Sequence, residues 1–163
     1  MRTACVMLNT STGSARRLFQ HPSHVIIQLM NLSYRILDCH IFESYMALEG
    51  WESFPLLKSY TTDGEFSFLL KDCSFMIFDY KPSDGLLKAV CIYRKICDTL
   101  SIELFEVNKD YRQLGIGTYA MERLMIETGA KTVYLDAKNA NAEIFWKNIG
   151  MKKIDNQTFC FEC

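Results

Sequence analysis

The 163-residue chain is long enough for one domain and short for two. Hydrophobic residues make up 49% and charged residues 23%, the balance of a globular domain with a core. A net charge of −1 with no basic run argues against a duplex-binding surface, so nucleic acid is not an expected ligand.

From the N-terminus, Met1 to Leu8 holds only a short apolar run that Asn9-Thr10-Ser11 ends, so no signal peptide is expected. Later apolar stretches are broken by charges well before the roughly 18 residues of a membrane span. The expected setting is cytoplasmic, with no membrane partner. Residues 1–65 carry a pattern that fits helix and strand about equally. Ser14 is placed to cap a short helix ending before Pro22. Val25 to Leu32 and Ile36 to Leu48 are dense in apolar residues and read as two helices on a core. Gly50, Pro55 and Asp63-Gly64 interrupt them.

Beyond residue 66 the pattern sharpens. Phe75 to Phe78 reads as a buried strand, closed by the turn-forming run Lys81 to Gly85. Leu87 to Arg94 is a second strand, Asp98-Thr99 a turn, and Ser101 to Val107 a third strand. Short connections predict an antiparallel meander. The period then becomes helical: Ile116, Ala120, Met121, Leu124 and Met125 form one stripe between Gly115 and Thr128, and Gly129 stands where the helix stops. Thr132 to Leu135 is the next strand. Strand, helix and strand make a βαβ unit, which puts 101–107 parallel to 132–136. Asn139 to Asn148 is another helix, ended by Gly150. Lys152 to Ile154 and Thr158 to Phe161 complete the sheet through a turn at Asp155-Asn156.

The seven cysteines (5, 39, 73, 91, 97, 160 and 163) are odd in number and scattered, which fits reduced thiols rather than a disulfide framework. Cys160 and Cys163 have C-x-x-C spacing, but residues three apart on a strand face opposite ways. His21, His24 and His40 form no set with a nearby carboxylate, so no metal is expected.

The segment with chemistry in it is Val107-Asn108-Lys109-Asp110-Tyr111-Arg112-Gln113-Leu114-Gly115-Ile116-Gly117. It leaves a strand and opens a helix. Glycines 115 and 117 let a ligand approach the backbone. The first amides of a helix have no internal partner and carry the positive end of its dipole, so they suit a phosphate. Arg112 adds a formal charge. The run is neither a G-x-G-x-x-G fingerprint, since Ala120 fills the third place, nor a P-loop. Taken alone, it also fits simple turn packing or another phosphate ligand.

This segment resembles the acetyl-CoA motif of the GNAT superfamily, R/Q-x-x-G-x-G/A after the fourth strand. Asn139-Ala140-Asn141-Ala142-Glu143-Ile144-Phe145-Trp146-Lys147-Asn148-Ile149-Gly150-Met151 resembles the family's second signature: Asn, Ala three later, an aromatic seven later, then Gly and an apolar residue. The resemblance covers roughly 74–163. It implies an α/β (α+β) fold in a single domain over 1–163. Residues 1–65 would be the variable, acceptor-side part, and 66–163 the acetyl-CoA-binding core. The sheet would be mixed and mostly antiparallel, with a central parallel pair splayed at strands 4 and 5 and helices on both faces.

The resemblance further implies transfer of acetyl from acetyl-CoA to a primary amine on a small molecule or protein, without metal. Pantetheine would pair with the backbone of Phe105 and Val107. The pyrophosphate would lie on Arg112, Gln113, Leu114, Gly115, Ile116 and Gly117, with the Thr118 hydroxyl. Asn139, Ala142, Phe145 and Trp146 would line the other wall. Glu103, four residues before Val107, is read as pointing to the same strand face and as the general base, with Glu106 pointing away. A salt-bridged surface role for Glu103 stands beside that reading. The Val107 N–H is the expected oxyanion donor. Trp146 departs from the tyrosine that many members use to protonate the leaving thiolate, because an indole N–H is no useful acid. Tyr119 and Tyr134 are substitutes by type only. That departure keeps a second reading open, a non-catalytic acyl-CoA-binding or partner-binding module. Glu49, Glu52, Asp63 and Glu65 are candidates to attract a cationic acceptor. A homodimer is left open.

Overall fold

The computed structural model describes residues 32–49, 52–62, 72–80 and 87–162. Strands β1 (Leu32–Leu37), β2 (Ser74–Tyr80), β3 (Leu87–Ile96) and β4 (Thr99–Val107) form an antiparallel meander. Helix α1 (Cys39–Glu49) and helix α2 (Pro55–Thr62) lie between β1 and β2 in the chain. After β4 come helix α3 (Ile116–Thr128), strand β5 (Thr132–Asp136), helix α4 (Ala140–Asn148), and the strands β6 (Lys152–Lys153) and β7 (Thr158–Glu162). The described sheet runs β1-β2-β3-β4-β5-β7-β6, and β4–β5 is its parallel pair.

The expected strand–helix–strand unit is therefore present as β4-α3-β5. One early expectation is overturned. Leu32 and Ile36 belong to strand β1, and the helix begins only at Cys39. The reason is local. Asp38 caps α1 through Oδ1, which accepts the Ile41 N–H at 2.9 Å, so the helix cannot extend back through it. Upstream, every residue from Leu32 to Leu37 pairs with β2, and sheet pairing outweighs an ambiguous pattern. The helices expected before Pro22 and over 25–31, and the turn at 81–85, lie outside the described residues.

Two apolar layers cover the sheet. On one face, Ile116, Ala120, Met121 and Leu124 of α3 and Trp146 of α4 pack with Cys91, Leu100, Ile102, Val133, Leu135 and Phe159. On the other, Phe42 and Met46 of α1 and Leu57 of α2 pack with Phe75, Ile77, Val90, Ile92 and Leu104. The α3 stripe read from the sequence is the buried stripe, because residues three and four apart share a helix face. Gly129 ends α3 by donating its N–H to the Met125 carbonyl at 2.9 Å.

Two bulges interrupt the pairing of the meander. In the β3–β4 register Ile92 faces Leu104 while Tyr93 faces Ile102, so Glu103 has no opposite residue. In the β2–β3 register Phe78 faces Ala89 while Asp79 faces Leu87, so Lys88 is the extra residue. Each bulge reverses which face the neighbouring side chains meet.

Candidate active site

β4 is paired with β5 only from Thr99 to Ile102, where Ile102 faces Leu135. Beyond that pair the strands part, and β4 continues to Val107 with no sheet partner on that side among the described residues. The Asn108 N–H donates to the Lys88 carbonyl of β3 at 2.9 Å. The planar peptide therefore aims the Val107 carbonyl the opposite way, into the gap. Alternation along the strand aims the Phe105 N–H and C=O the same way. An open strand edge thus lines a cavity of about 800 Å³, whose walls include Phe105, Val107, Arg112, Gln113, Gly115, Ile116, Gly117, Thr118, Asn139, Ala142, Phe145 and Trp146.

A 3₁₀ turn at Lys109–Tyr111 leads from β4 into the loop, held by the Asn108 side chain, which accepts the Asp110 N–H at 3.0 Å. Gln113 has φ 65° and Gly115 φ 79°. At 115 the left-handed conformation calls for glycine, and at 113 a side chain bears the strain, a cost met most often at functional loops. Gly115 caps α3 with no side-chain hydrogen bond. The Tyr119 N–H bonds the Gly115 carbonyl at 3.1 Å, so the amides of Ile116, Gly117 and Thr118 precede the helical ladder. Among the described residues these amides have no hydrogen-bond partner, and they border the cavity at the positive end of the helix dipole.

Packing at Gly117 leaves little room for a side chain. A Cβ there would stand 3.0 Å from Phe145 Cζ and 3.5 Å from Val107 Cγ2. Phe145 in turn stacks on Phe105, with centroids 6.1 Å apart, and meets Trp146 edge-on at 4.6 Å. Trp146 is buried in this aromatic group, which closes one wall of the gap. Asn139 caps α4, its Oδ1 accepting the Ala142 N–H at 2.9 Å. Leu114 is the one loop residue of the expected set that does not line the cavity; its side chain is exposed.

The carboxylates fall differently from the spacing argument. The bulge cancels the four-residue rule that put Glu103 on the face of Val107. Phe105 and Val107 pack with the α3–α4 layer and Leu104 with the α1–α2 layer. Glu103 lies against Ser101 Oγ (3.2 Å) and Arg94 Nε (3.7 Å) on the α1–α2 side, yet still borders the cavity. Glu106 also faces that side, away from Val107 as expected, but it is a buried residue rather than a bystander. Its oxygens accept the Leu56 and Leu57 N–H groups at 3.0 and 2.8 Å, and Arg112 Nη2 lies 3.3 Å away. Burial pushes its carboxyl above the usual range, against the pull of those N–H groups and of Arg112. Arg112 also donates Nε to the Val107 carbonyl at 3.1 Å, so this carbonyl is already engaged, while the Phe105 groups have no partner among the described residues.

Sequence reasoning missed Lys88, Tyr111 and Lys138. Lys88 is fully buried, with Nζ 3.7 Å above the Tyr111 ring, and the pair braces the loop from beneath. Tyr111 stood in the singled-out segment, but nothing in one sequence placed a lysine from β3 under it. Lys138 reaches over the Tyr60 ring of α2 at 5.6 Å. Tyr119 and Tyr134 do not line the cavity: the Tyr119 hydroxyl bonds the Leu32 carbonyl at 3.2 Å, and Tyr134 is on the exposed face of β5. Of the acidic candidates, Glu52 is exposed and paired with Lys58 at 2.5 Å, while Asp63 and Glu65 lie outside the described residues and the Glu49 side chain is not described. His40 does sit near a carboxylate, contrary to expectation. Cys39, His40 and Glu43 bring donor atoms within 4.8 Å of one another in the first two turns of α1, and none of them lines the cavity.

A mixed sheet parted at its parallel pair, with a glycine-opened helix beside the gap, defines the GNAT-like class of fold. The chain belongs to the acetyltransferase (GNAT) family, whose model matches residues 40–151. Solved structures share the architecture. The Escherichia coli ribosomal-protein-S18-alanine N-acetyltransferase is 17% identical, with TM-score 0.57 over 79% of this chain and 90% of that one. The Thermoplasma acidophilum PaiA N-acetyltransferase, solved in complex with coenzyme A, is 15% identical, with TM-score 0.58 over 81% and 99%. An IAA acetyltransferase from Bacillus cereus is 10% identical, with TM-score 0.58 over 81% and 99%. At these identities the likeness is one of fold. A search of curated protein sequences finds no match. Among the described residues no helix is long and apolar enough to cross a membrane.

Proposed function

We propose that the protein is an N-acetyltransferase that moves acetyl from acetyl-CoA to a primary amine. The observation that supports this best is the continuity of two binding elements along one cavity: the unpaired edge of β4 and the bare amides opening α3. The edge offers amide partners to pantetheine, as an added strand would use them. The α3 amides, with the loop from Arg112 to Thr118, suit a diphosphate. Phe145, Trp146 and Ala142 would cover the arm from the α4 side, and Asn139 would hold that helix in place.

In this reading Glu103 takes the proton of the acceptor ammonium, directly or through water, and leaves a neutral amine. Its place on the α1–α2 side suits this role, because the amine then approaches across the gap from the cofactor. The amine nitrogen bonds to the thioester carbonyl carbon as the C–S bond breaks, with the Val107 N–H donating to the developing oxyanion. The nitrogen's remaining proton passes through water to the departing thiolate, since Trp146 has no acidic proton. A cytoplasmic setting with reduced thiols suits this chemistry.

The second reading, an acyl-CoA-binding module without turnover, is favoured by two observations: Trp146 is packed among aromatic rings, and neither Tyr119 nor Tyr134 borders the cavity. A mass-resolved screen of amine acceptors with acetyl-CoA separates the two. Turnover should appear with at least one amine and fall about 10²-fold or more in Glu103→Gln, with acetyl-CoA binding retained. Full activity in that variant would remove Glu103 as the base, and binding with no turnover on any amine would favour the second reading.

A further inference from the structure

Helix α2 begins without a cap of its own. The Phe54 carbonyl accepts the Lys58 N–H at 2.8 Å, which makes Phe54 the cap residue, and a phenyl ring has no oxygen to offer. Pro55 follows, where a missing N–H is harmless. The next two amides, Leu56 and Leu57, donate to the two oxygens of Glu106 at 3.0 and 2.8 Å. A carboxylate some fifty positions away, from the penultimate residue of β4, therefore caps α2. Among the described residues it is the one buried carboxylate.

The same carboxylate reaches the cofactor loop. Its Oε1 is 3.3 Å from Arg112 Nη2, and Arg112 is fixed from behind by the Val107 carbonyl at 3.1 Å. A backbone bond runs alongside, from the Lys109 N–H to the Ser53 carbonyl at 3.1 Å. Arg112 has five N–H donors, so these contacts leave others for a phosphate oxygen. Leu56, at the capped end of α2, lines the same cavity as Arg112 and Gly117. The capping carboxylate is thus shared with the arginine of the loop that opens α3.

We propose that Glu106 and Arg112 form a positioning relay between the two substrate sites. It rests on the proposed acetyl-CoA site. A diphosphate on residues 112–118 steadies Arg112, Arg112 steadies Glu106, and Glu106 fixes the N-terminal turn of α2 on the acceptor side of the cavity. Cofactor binding thereby organises the acceptor wall before the amine arrives. Neither residue touches the reacting atoms.

The test is hydrogen exchange, read by mass spectrometry, in peptides covering Leu56 and Leu57 with and without saturating acetyl-CoA. Calorimetry on the same samples measures binding. In the native protein acetyl-CoA should slow exchange there about five-fold or more, the usual scale of coupled sites. Arg112→Lys keeps a charge for phosphate but lacks the fork that spans Val107 and Glu106. It should bind acetyl-CoA more weakly and, once saturated, lose the slowing. Glu106→Gln leaves Arg112 in place; it should raise the basal exchange of these amides and also lose the cofactor-dependent part. Binding without slowing in the native protein overturns the relay alone, as does full slowing in either variant that binds. A native protein that binds no acetyl-CoA overturns the relay together with the cofactor reading.

Discussion

Gly117→Ala probes whether the loop glycine is kept for the aromatic wall as well as for a ligand. The new methyl would stand 3.0 and 3.1 Å from Phe145 Cζ and Cε2, inside normal contact, and 3.5 Å from Val107 Cγ2. Overpacking of this kind costs about 1–3 kcal/mol. Alanine regains about 1 kcal/mol over glycine in a helix. The net loss is about 0–2 kcal/mol, a fall in Tm of up to about 8 °C for a domain of this size. The assay is thermal melting of Gly117→Ala, Phe145→Leu and the double variant. A smaller side chain at 145 should relieve the clash, so the double variant should be more stable than the two single losses predict. Additive losses would show that the ring is not what the methyl meets. A single variant melting above the native protein would refute the packing argument outright.

Two further outcomes are expected from the described residues. Lys147 and Lys153, each 2.8 Å from Glu143 Oε1, hold that carboxyl at about 2. A lowered folded value means that the stabilisation is present above the ordinary carboxylate value of 4.5 and is lost as pH falls toward 2. Glu143→Gln should therefore melt below the native protein at neutral pH, with the gap closing between pH 4.5 and 2. A gap independent of pH would contradict the pairing. Among the described cysteines, Cys97 is exposed in the β3–β4 turn at φ 54°, whereas Cys91 is wholly buried and its thiol is pushed upward by burial. Peptide mapping after brief alkylation should find Cys97 modified and Cys91 untouched until unfolding. Early labelling of Cys91 would mean that the sheet opens locally.

The second half of the fold was legible because its signals are short-range. The α3 stripe, Gly129 and the asparagine cap of α4 each act within a few residues, and the βαβ order fixed the parallel pair. The first strand was not legible. Leu32 to Leu37 becomes β1 only through pairing with β2, some forty residues away, which a local pattern cannot record. The site divides in the same way. The glycine-opened helix end and the residues around it were readable from one segment and one resemblance. The face of Glu103 was not, because an unpaired residue in β4 reverses the alternation, and only the register against β3 reveals it. Glu106 and Lys88 were passed over for a related reason: a charged residue in an apolar strand looks like a solvent-facing position until its partners from α2 and the 3₁₀ turn are seen.

The proposed function requires that the open edge of β4 and the start of α3 together hold coenzyme A. Thermal melting with acetyl-CoA, with 3′,5′-ADP and with pantetheine, each at matched concentration, tests this directly. Acetyl-CoA at about 100 times its Kd should add about 2.7 kcal/mol of stability, while each fragment, engaging only one element, should add far less. Equal shifts with acetyl-CoA and 3′,5′-ADP would contradict a role for the strand edge, and no shift with acetyl-CoA would contradict the site.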